Sequence, residues 1–246
     1  MLYRILISLV ILLSLHGFTY SQNVKSPVRN MPVKRIGATE RGVRTAIEAE
    51  MRCAGLVEVS TVYPGIAVLL RYSGSNNVWN TDMYGNFERA YLHPVAASRL
   101  AKAQQMLAKE HPGYRLLIWD AARPLHIQQE MWDRLDKPEG IKHWYVANPQ
   151  RGSLHNYGMA VDLTIQDEKG RLLDMGTDFD YFGHPAYSNM EAYYEQTGQL
   201  TKTQAENRRY LANLMRRAGF SPSSTEWWHY NACSVAEAKA RYTIVR

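Results

Sequence analysis

The apolar and polar positions divide the chain into a leader, a polar stretch and one folded body. The opening MLYRILISLVILLSLHGFTYSQ places one charge, Arg4, ahead of an apolar run from Ile5 to Leu15, and Thr19 and Ser21 supply small residues before a cleavage point. This pattern predicts a secretory signal peptide over residues 1–21. The run is short for a membrane span, and an uncleaved anchor is the alternative. No cysteine follows the run directly, which argues against a lipid anchor. Residues 22–45 are polar and basic, with Pro27 and Pro32, and read as a segment leading into the fold.

Beyond residue 45 the periodicities alternate between short apolar runs and helical stripes. IAVLLRY (66–72), after Pro64-Gly65, is a strand candidate, and the turn-rich SGSNNVWNTDMYGN reads as a surface loop. Pro94 opens a helix with Ala96, Leu100, Ala103 and Leu107 on one face, stopped at HPG. YRLLIWD is a second strand, followed by a helix beginning near Pro124 with Ile127, Met131 and Leu135 in line. AVDLTI is a third strand, and QDEKG turns it into RLLDM as a hairpin. A last helix spans about 203–218, with Thr203 and Glu206 at capping-box spacing, a stripe of Leu211, Leu214, Met215 and Ala218, and Gly219 as its stop. STEWWHYN reads as a final strand. Strands and helices mixed without regular alternation predict an α+β fold in one domain, residues 46–246.

Composition changes this picture little. Among 246 residues, 46% are hydrophobic and 21% charged, which is globular rather than disordered. The net charge of +6 comes from scattered Lys and Arg without a long run; together with the export signal this argues against nucleic acid as a partner. An oxidising compartment would allow Cys53 and Cys233 to pair and tie the start of the domain to its end; two separate thiols are the other reading.

Candidate chemistry gathers in GSLHNYGMAVD, where His155 and Asp162 flank the flexible Gly158. Asp162 lies inside an apolar strand pattern, and a buried carboxylate needs a cation, a metal or several hydrogen bonds. EWWH adds His229 as a nitrogen ligand and Glu226 as a carboxylate placed to act as base. On a strand, positions three apart face opposite ways, so a twist, bulge or loop is needed to bring both into one cleft. Two histidines and one carboxylate leave a fourth tetrahedral position on a zinc ion for water, whose pKa the metal lowers to about 7. Arg123, at the strand-to-helix junction of IWDAARP, is placed either to steady a developing oxyanion or to pair with Asp120.

SLHNYGMAVD and EWWHY resemble the zinc D-Ala-D-Ala dipeptidases of the VanX type, within the wider group of D,D-carboxypeptidases and hedgehog-like folds. LLRY, LLIWDAARP, MGTDFDYF and NRRYLANLMRRAGF extend the likeness over roughly residues 55–231. The resemblance implies a mainly antiparallel central sheet flanked by helices and one Zn²⁺ per chain. It implies His155, Asp162 and His229 as metal ligands, Glu226 as base, Arg123 as transition-state partner, and Ser153 and Asp180 as substrate contacts. The family often has an aromatic residue just before the arginine, where this chain has Ala122, a departure expected to alter the cleft. The implied activity is hydrolysis of a small D,D-dipeptide in wall-peptide turnover, by a protein that is periplasmic or extracellular with no stable membrane insertion after signal cleavage. The alternatives are a D,D-carboxypeptidase acting on peptidoglycan stem peptides and a non-catalytic zinc-binding envelope module.

Overall fold

The structure, a computed structural model, describes residues 46–246; the leader and the polar segment after it lie outside the described residues. The chain enters through α1 (Ala46–Cys53), β1 (Val57–Glu58) and α2 (Val59–Val62) before β2 (Ala67–Val68). β3 (Tyr91–Leu92) then leads into α3 (Pro94–Glu110) and β4 (Arg115–Asp120). After α4 (Leu125–Arg134) and α5 (Glu139–Lys142), a 3₁₀ turn at Leu154–Tyr157 feeds β5 (Ala160–Gln166). The remainder is α6 (Glu191–Gln196), α7 (Lys202–Ala218), β6 (Ser221–Pro222), β7 (His229–Asn231) and α8 (Val235–Arg241).

Five strands form the main sheet in the order β2-β4-β5-β7-β6, while β1 and β3 pair separately. Every pairing in the main sheet is antiparallel except β2 with β4, so the expected sheet is mainly, not wholly, antiparallel. β4 is buried beyond Arg115 and β5 is buried at every position, which explains their continuous apolar runs. Leu69 and Arg71 continue the backbone pairing beyond β2, donating to the carbonyls of Ile118 and Trp119.

Both long helices follow their sequence signals. Pro94 takes the first position of α3, and His93 caps it through Nδ1, 3.3 Å from the Val95 N–H. Gln104, buried on α3, donates to Tyr114 O at 3.0 Å and accepts from the Leu116 N–H at 2.7 Å, fastening the helix to the start of β4. α7 begins earlier than expected. Its capping box is Thr201 and Gln204, each accepting from the other's backbone N–H at 3.2 and 2.8 Å, rather than Thr203 and Glu206. Gly219 ends it in the left-handed region, at φ 101°.

Several expectations change. The 73–86 stretch is irregular and reaches the surface at Ser75, Asn80, Asp82 and Gly85, but it is anchored inward: Met83 and Tyr84 are buried, and the Asn77 amide nitrogen lies within hydrogen-bond distance of the carbonyls of Arg71, Gly74 and Thr81. That one side chain satisfies backbone groups that have no ladder to join. The turn after β5 does reverse the chain, with Asp167 N–H donating to Arg171 O, but only the Gln166–Leu172 bridge follows it. STEWWHYN is a strand only from His229. Cys53 and Cys233 are unpaired. Cys53 lies off the buried face of α1, which is Glu48 and Met51, while Cys233 sits among Arg99, Glu237 and Arg241.

Candidate active site and metal centre

The sheet itself aligns the key side chains. Asp120 on β4 is the register partner of Asp162 on β5, and Asp162 is the partner of His229 on β7. These residues therefore form one row on one face of three adjacent strands. Directly opposed carboxylates repel, so the pairing of Asp120 with Asp162 is stable only where each has its own cation. Asp120 has Arg123, whose Nε and Nη2 donate to Oδ2 at 3.0 and 2.6 Å. Asp162 has His229, whose Nδ1 lies 2.9 Å from Oδ1.

His155 reaches Asp162 from the 3₁₀ turn. Gly158 ends that turn at φ 63°, where an added Cβ would lie 2.8 Å from the His93 nitrogen. The sharp bend lets His155 fold back over the strand that begins at Ala160. Its Nδ1–H donates to Ala121 O at 2.6 Å, which leaves the Nε2 lone pair facing inward. His229 is fixed the opposite way round: Nε2–H donates to Asn231 Oδ1 at 2.8 Å and Nδ1 faces inward. The two inward nitrogens are 3.2 Å apart, and Asp162 lies 2.9 Å from His229 Nδ1 and 3.5 Å from His155 Nε2. One ligand atom from each residue lies within 4.8 Å of the others, a group able to hold a metal ion. Two imidazole lone pairs and a buried carboxylate facing one another are a donor set suited to zinc, and the outer hydrogen bonds hold both rings in the ligating tautomer.

A turn resolves the geometry of EWWH. The His229 N–H closes onto Glu226 O at 3.3 Å, so Glu226 precedes the strand instead of lying on it. Its carboxylate comes within 3.8 Å of His229 Nδ1, on the same side as the ligand group. Trp227 and Trp228, between them, are buried and anchor the turn.

All the residues singled out from the sequence line one cleft of about 340 Å³: His155, Asp162, His229, Glu226, Arg123, Ser153 and Asp180. The Arg123 guanidinium is held by Asp120, by Gln128 Oε1 at 2.9 Å from Nη1, and under the Tyr72 ring at 5.2 Å. Both earlier readings of Arg123 are thus compatible, because the ion pair with Asp120 orients a side chain that still lines the cleft. The Tyr72 hydroxyl lies 3.1 and 3.0 Å from the two oxygens of Asp180, a residue held at φ 58°. Ala122 does not itself line the cleft. It is buried in the core, with its N–H donating to Tyr91 O.

The electrostatics match this layout. Burial favours a neutral Asp162, but His155 and His229 outweigh it and hold the carboxyl well below the usual range. Burial likewise disfavours charged His229, yet the hydrogen bond and charge of Asp162 lift its pKa to about 9. Burial raises the Glu226 carboxyl; His229 opposes the rise and Asp162 adds to it. Asp180 is raised well above the ordinary value, first by burial and then by Asp162.

The D-ala-D-ala dipeptidase family matches residues 52–244, which is most of the chain. The chain belongs to this family. As a member it is a zinc metallopeptidase, and the His155/Asp162/His229 group supplies donors of the required kind. It is 32% identical to the D-alanyl-D-alanine dipeptidase of Escherichia coli over 175 residues, covering 71% of this chain and 83% of that one. With the D-alanyl-D-alanine dipeptidase of Enterococcus faecium it shares 31% identity over 151 residues, 54% of this chain and 69% of the relative. The vancomycin resistance D,D-pentapeptidase VanY, solved with Zn(II), superposes with a TM-score of 0.37 at 17% identity, over 61% of this chain and 78% of that one.

Residue patterns alone missed Gln128, Tyr84 and Asn231. Gln128 lies five residues beyond Arg123, in the first turn of α4, and Asn231 lies two residues beyond His229 on the same strand face; the second spacing was the available signal. Tyr84, which donates to Asp120 Oδ1 at 2.7 Å, arrives from an irregular loop that carries no periodicity.

Proposed function

We propose that this member of the dipeptidase family hydrolyses free D-alanyl-D-alanine outside the cytoplasm, in the turnover of wall peptides. His155, Asp162 and His229 hold the zinc, Glu226 is the general base, Arg123 receives developing negative charge, and Ser153 and Asp180 contact the substrate. Export rests on the leader pattern at residues 1–21. The observation that carries the catalytic reading is the convergence of three ligand atoms within 4.8 Å beside Glu226, a carboxylate outside that group.

Bound zinc supplies a Lewis acid that lowers the pKa of water to about 7. The protein's own residues do the rest. Asp180 faces the dipeptide's ammonium, a group that an N-acylated stem peptide lacks and whose positive charge favours the ionised form that burial and Asp162 oppose. Three of the five N–H donors of Arg123 are spent on Asp120 and Gln128, and the other two are available to the scissile carbonyl oxygen as it becomes negative. Glu226, raised above an ordinary glutamate by burial, takes the proton of the attacking water and passes it to the amine of the departing D-alanine.

Replacing Glu226 with Ala tests the assignment. Turnover of D-alanyl-D-alanine is expected to fall at least about 100-fold, with one zinc per chain retained. Undiminished hydrolysis would refute the mechanism. Preference of the wild-type protein for N-acetyl-D-alanyl-D-alanine would identify a D,D-carboxypeptidase instead. Stoichiometric zinc without peptidase activity would identify a binding module.

A further inference from the structure

Behind the cleft lies a buried cation that the mechanism above does not use. Arg208 projects from α7 and is 1% exposed. Its Nε donates to Met175 O at 2.6 Å, Nη1 to Pro185 O at 2.5 Å and Nη2 to Thr177 Oγ1 at 3.3 Å. The guanidinium also lies over the Trp227 ring, 5.7 Å from its centroid. Burial lowers its pKa to about 10, so it remains charged at neutral pH. A cation buried against carbonyls and a hydroxyl is costly, and the planar fork of donors is what such a site gains in return.

The fork's partners bracket the segment that carries Asp180. Met175 and Thr177 precede it and Pro185 follows it, so Arg208 pins both ends of the crossing. Asp180 needs such support, because a non-glycine residue at φ 58° persists only where its surroundings hold it. The clamp also reaches the base. Thr177 Oγ1 accepts from Trp227 Nε1 at 2.8 Å, and the Trp227 N–H donates to Ala186 O at 3.0 Å. Trp227 is the residue after Glu226. The rings of Phe179 and Trp228 meet edge to face at 5.6 Å, closing the same contact between the two segments. The putting together of the ligand group is separate: Asp162 and His229 are tied by strand pairing, and His155 by its bond to Ala121.

We propose that Arg208 and Thr177 are positioning residues that set Asp180 against Glu226, and so make the enzyme select substrates with a free ammonium end. The inference rests on Asp180 being the ammonium contact. Thr177 is the place to test it, because Thr177→Val keeps the volume and removes only the shared oxygen, whereas Thr177→Ser restores it.

The full chain carrying each substitution is assayed with D-alanyl-D-alanine and with propionyl-D-alanine, the same skeleton without its ammonium. For Thr177→Val, zinc stoichiometry is expected to stay at the wild-type value. Its kcat/KM for the dipeptide is expected to fall about tenfold or more, as displacement of a positioning group does, and to fall less for propionyl-D-alanine, which feels only the shift of Glu226. Thr177→Ser is expected to return the wild-type ratio. A Thr177→Val protein that melts earlier but keeps both kcat and the substrate ratio would reduce the clamp to a structural role and overturn the proposal. Asp180→Asn separates the two claims. Loss of the ratio in Asp180→Asn but not in Thr177→Val overturns the clamp alone. An unchanged ratio in Asp180→Asn overturns the ammonium assignment, and the clamp with it.

Discussion

Asp120→Asn isolates the charge that holds Arg123. Asp120 is fully buried; one oxygen accepts both Arg123 bonds and the other accepts the Tyr84 hydroxyl at 2.7 Å. Asparagine has the same shape. Its amide oxygen can face Arg123 while its NH₂ faces Tyr84, whose hydroxyl then accepts instead of donating. The hydrogen-bond count is thereby preserved and only the negative charge is lost. Leaving a buried cation without its partner costs about 3–5 kcal/mol. For a domain of this size each kcal/mol moves Tm by about 2–4 °C, so a fall of at least about 6 °C is expected by calorimetry. Turnover should fall with it, because the two bonds that fix the guanidinium in the cleft are no longer assisted by a negative charge. The decisive comparison is a double-mutant cycle with Arg123→Met. In that background Asp120 is itself the uncompensated charge, so Asp120→Asn should cost nothing or stabilise. An equal loss of stability in both backgrounds would show that the two side chains are uncoupled and refute the reasoning.

The metal-free site also binds a proton. His229 has its pKa raised to about 9, against about 6.5 when unfolded, so its contribution to metal-free stability is complete below pH 6.5 and is lost as pH rises through 9. Zinc needs that nitrogen bare, so zinc affinity should rise about tenfold per pH unit across this window and level off above it. Competition with a chromophoric chelator measures this, and a flat profile would contradict the assignment. Gly158→Ala should destabilise by more than about 1 kcal/mol, since the position combines φ 63° with a Cβ contact of 2.8 Å to backbone. A denaturation midpoint unchanged in that variant would refute the account of the turn.

Much of this architecture was legible where local rules and burial agree. β4 and β5 stand out because buried central strands are apolar throughout, and Asp162 stands out because it interrupts one of them. Pro94 and Gly219 mark helix ends for reasons internal to their own backbones. The start of α7 was misplaced because Thr201/Gln204 and Thr203/Glu206 offer the same motif two residues apart, and only packing chooses between them. The site residues were visible as residue types, but their convergence was not. Nothing local to EWWH indicates that a turn precedes His229, and no short-range pattern pairs Arg71 with Asp178, 107 positions away, at 3.1 Å. Strand register, which aligns Asp120, Asp162 and His229, is a long-range property and becomes readable only when the sheet is assembled.

That row of register partners has a consequence for how such an enzyme diversifies. Two of the three side chains placed to hold an ion, Asp162 and His229, belong to the rigid lattice of the sheet, whereas His155, Asp180 and the wall around Ser153 hang from the connections. Descendants of one ancestor can therefore rewrite the connections around Asp180 and Ser153 and change what the cleft admits, while the paired strands keep Asp162 and His229 in place.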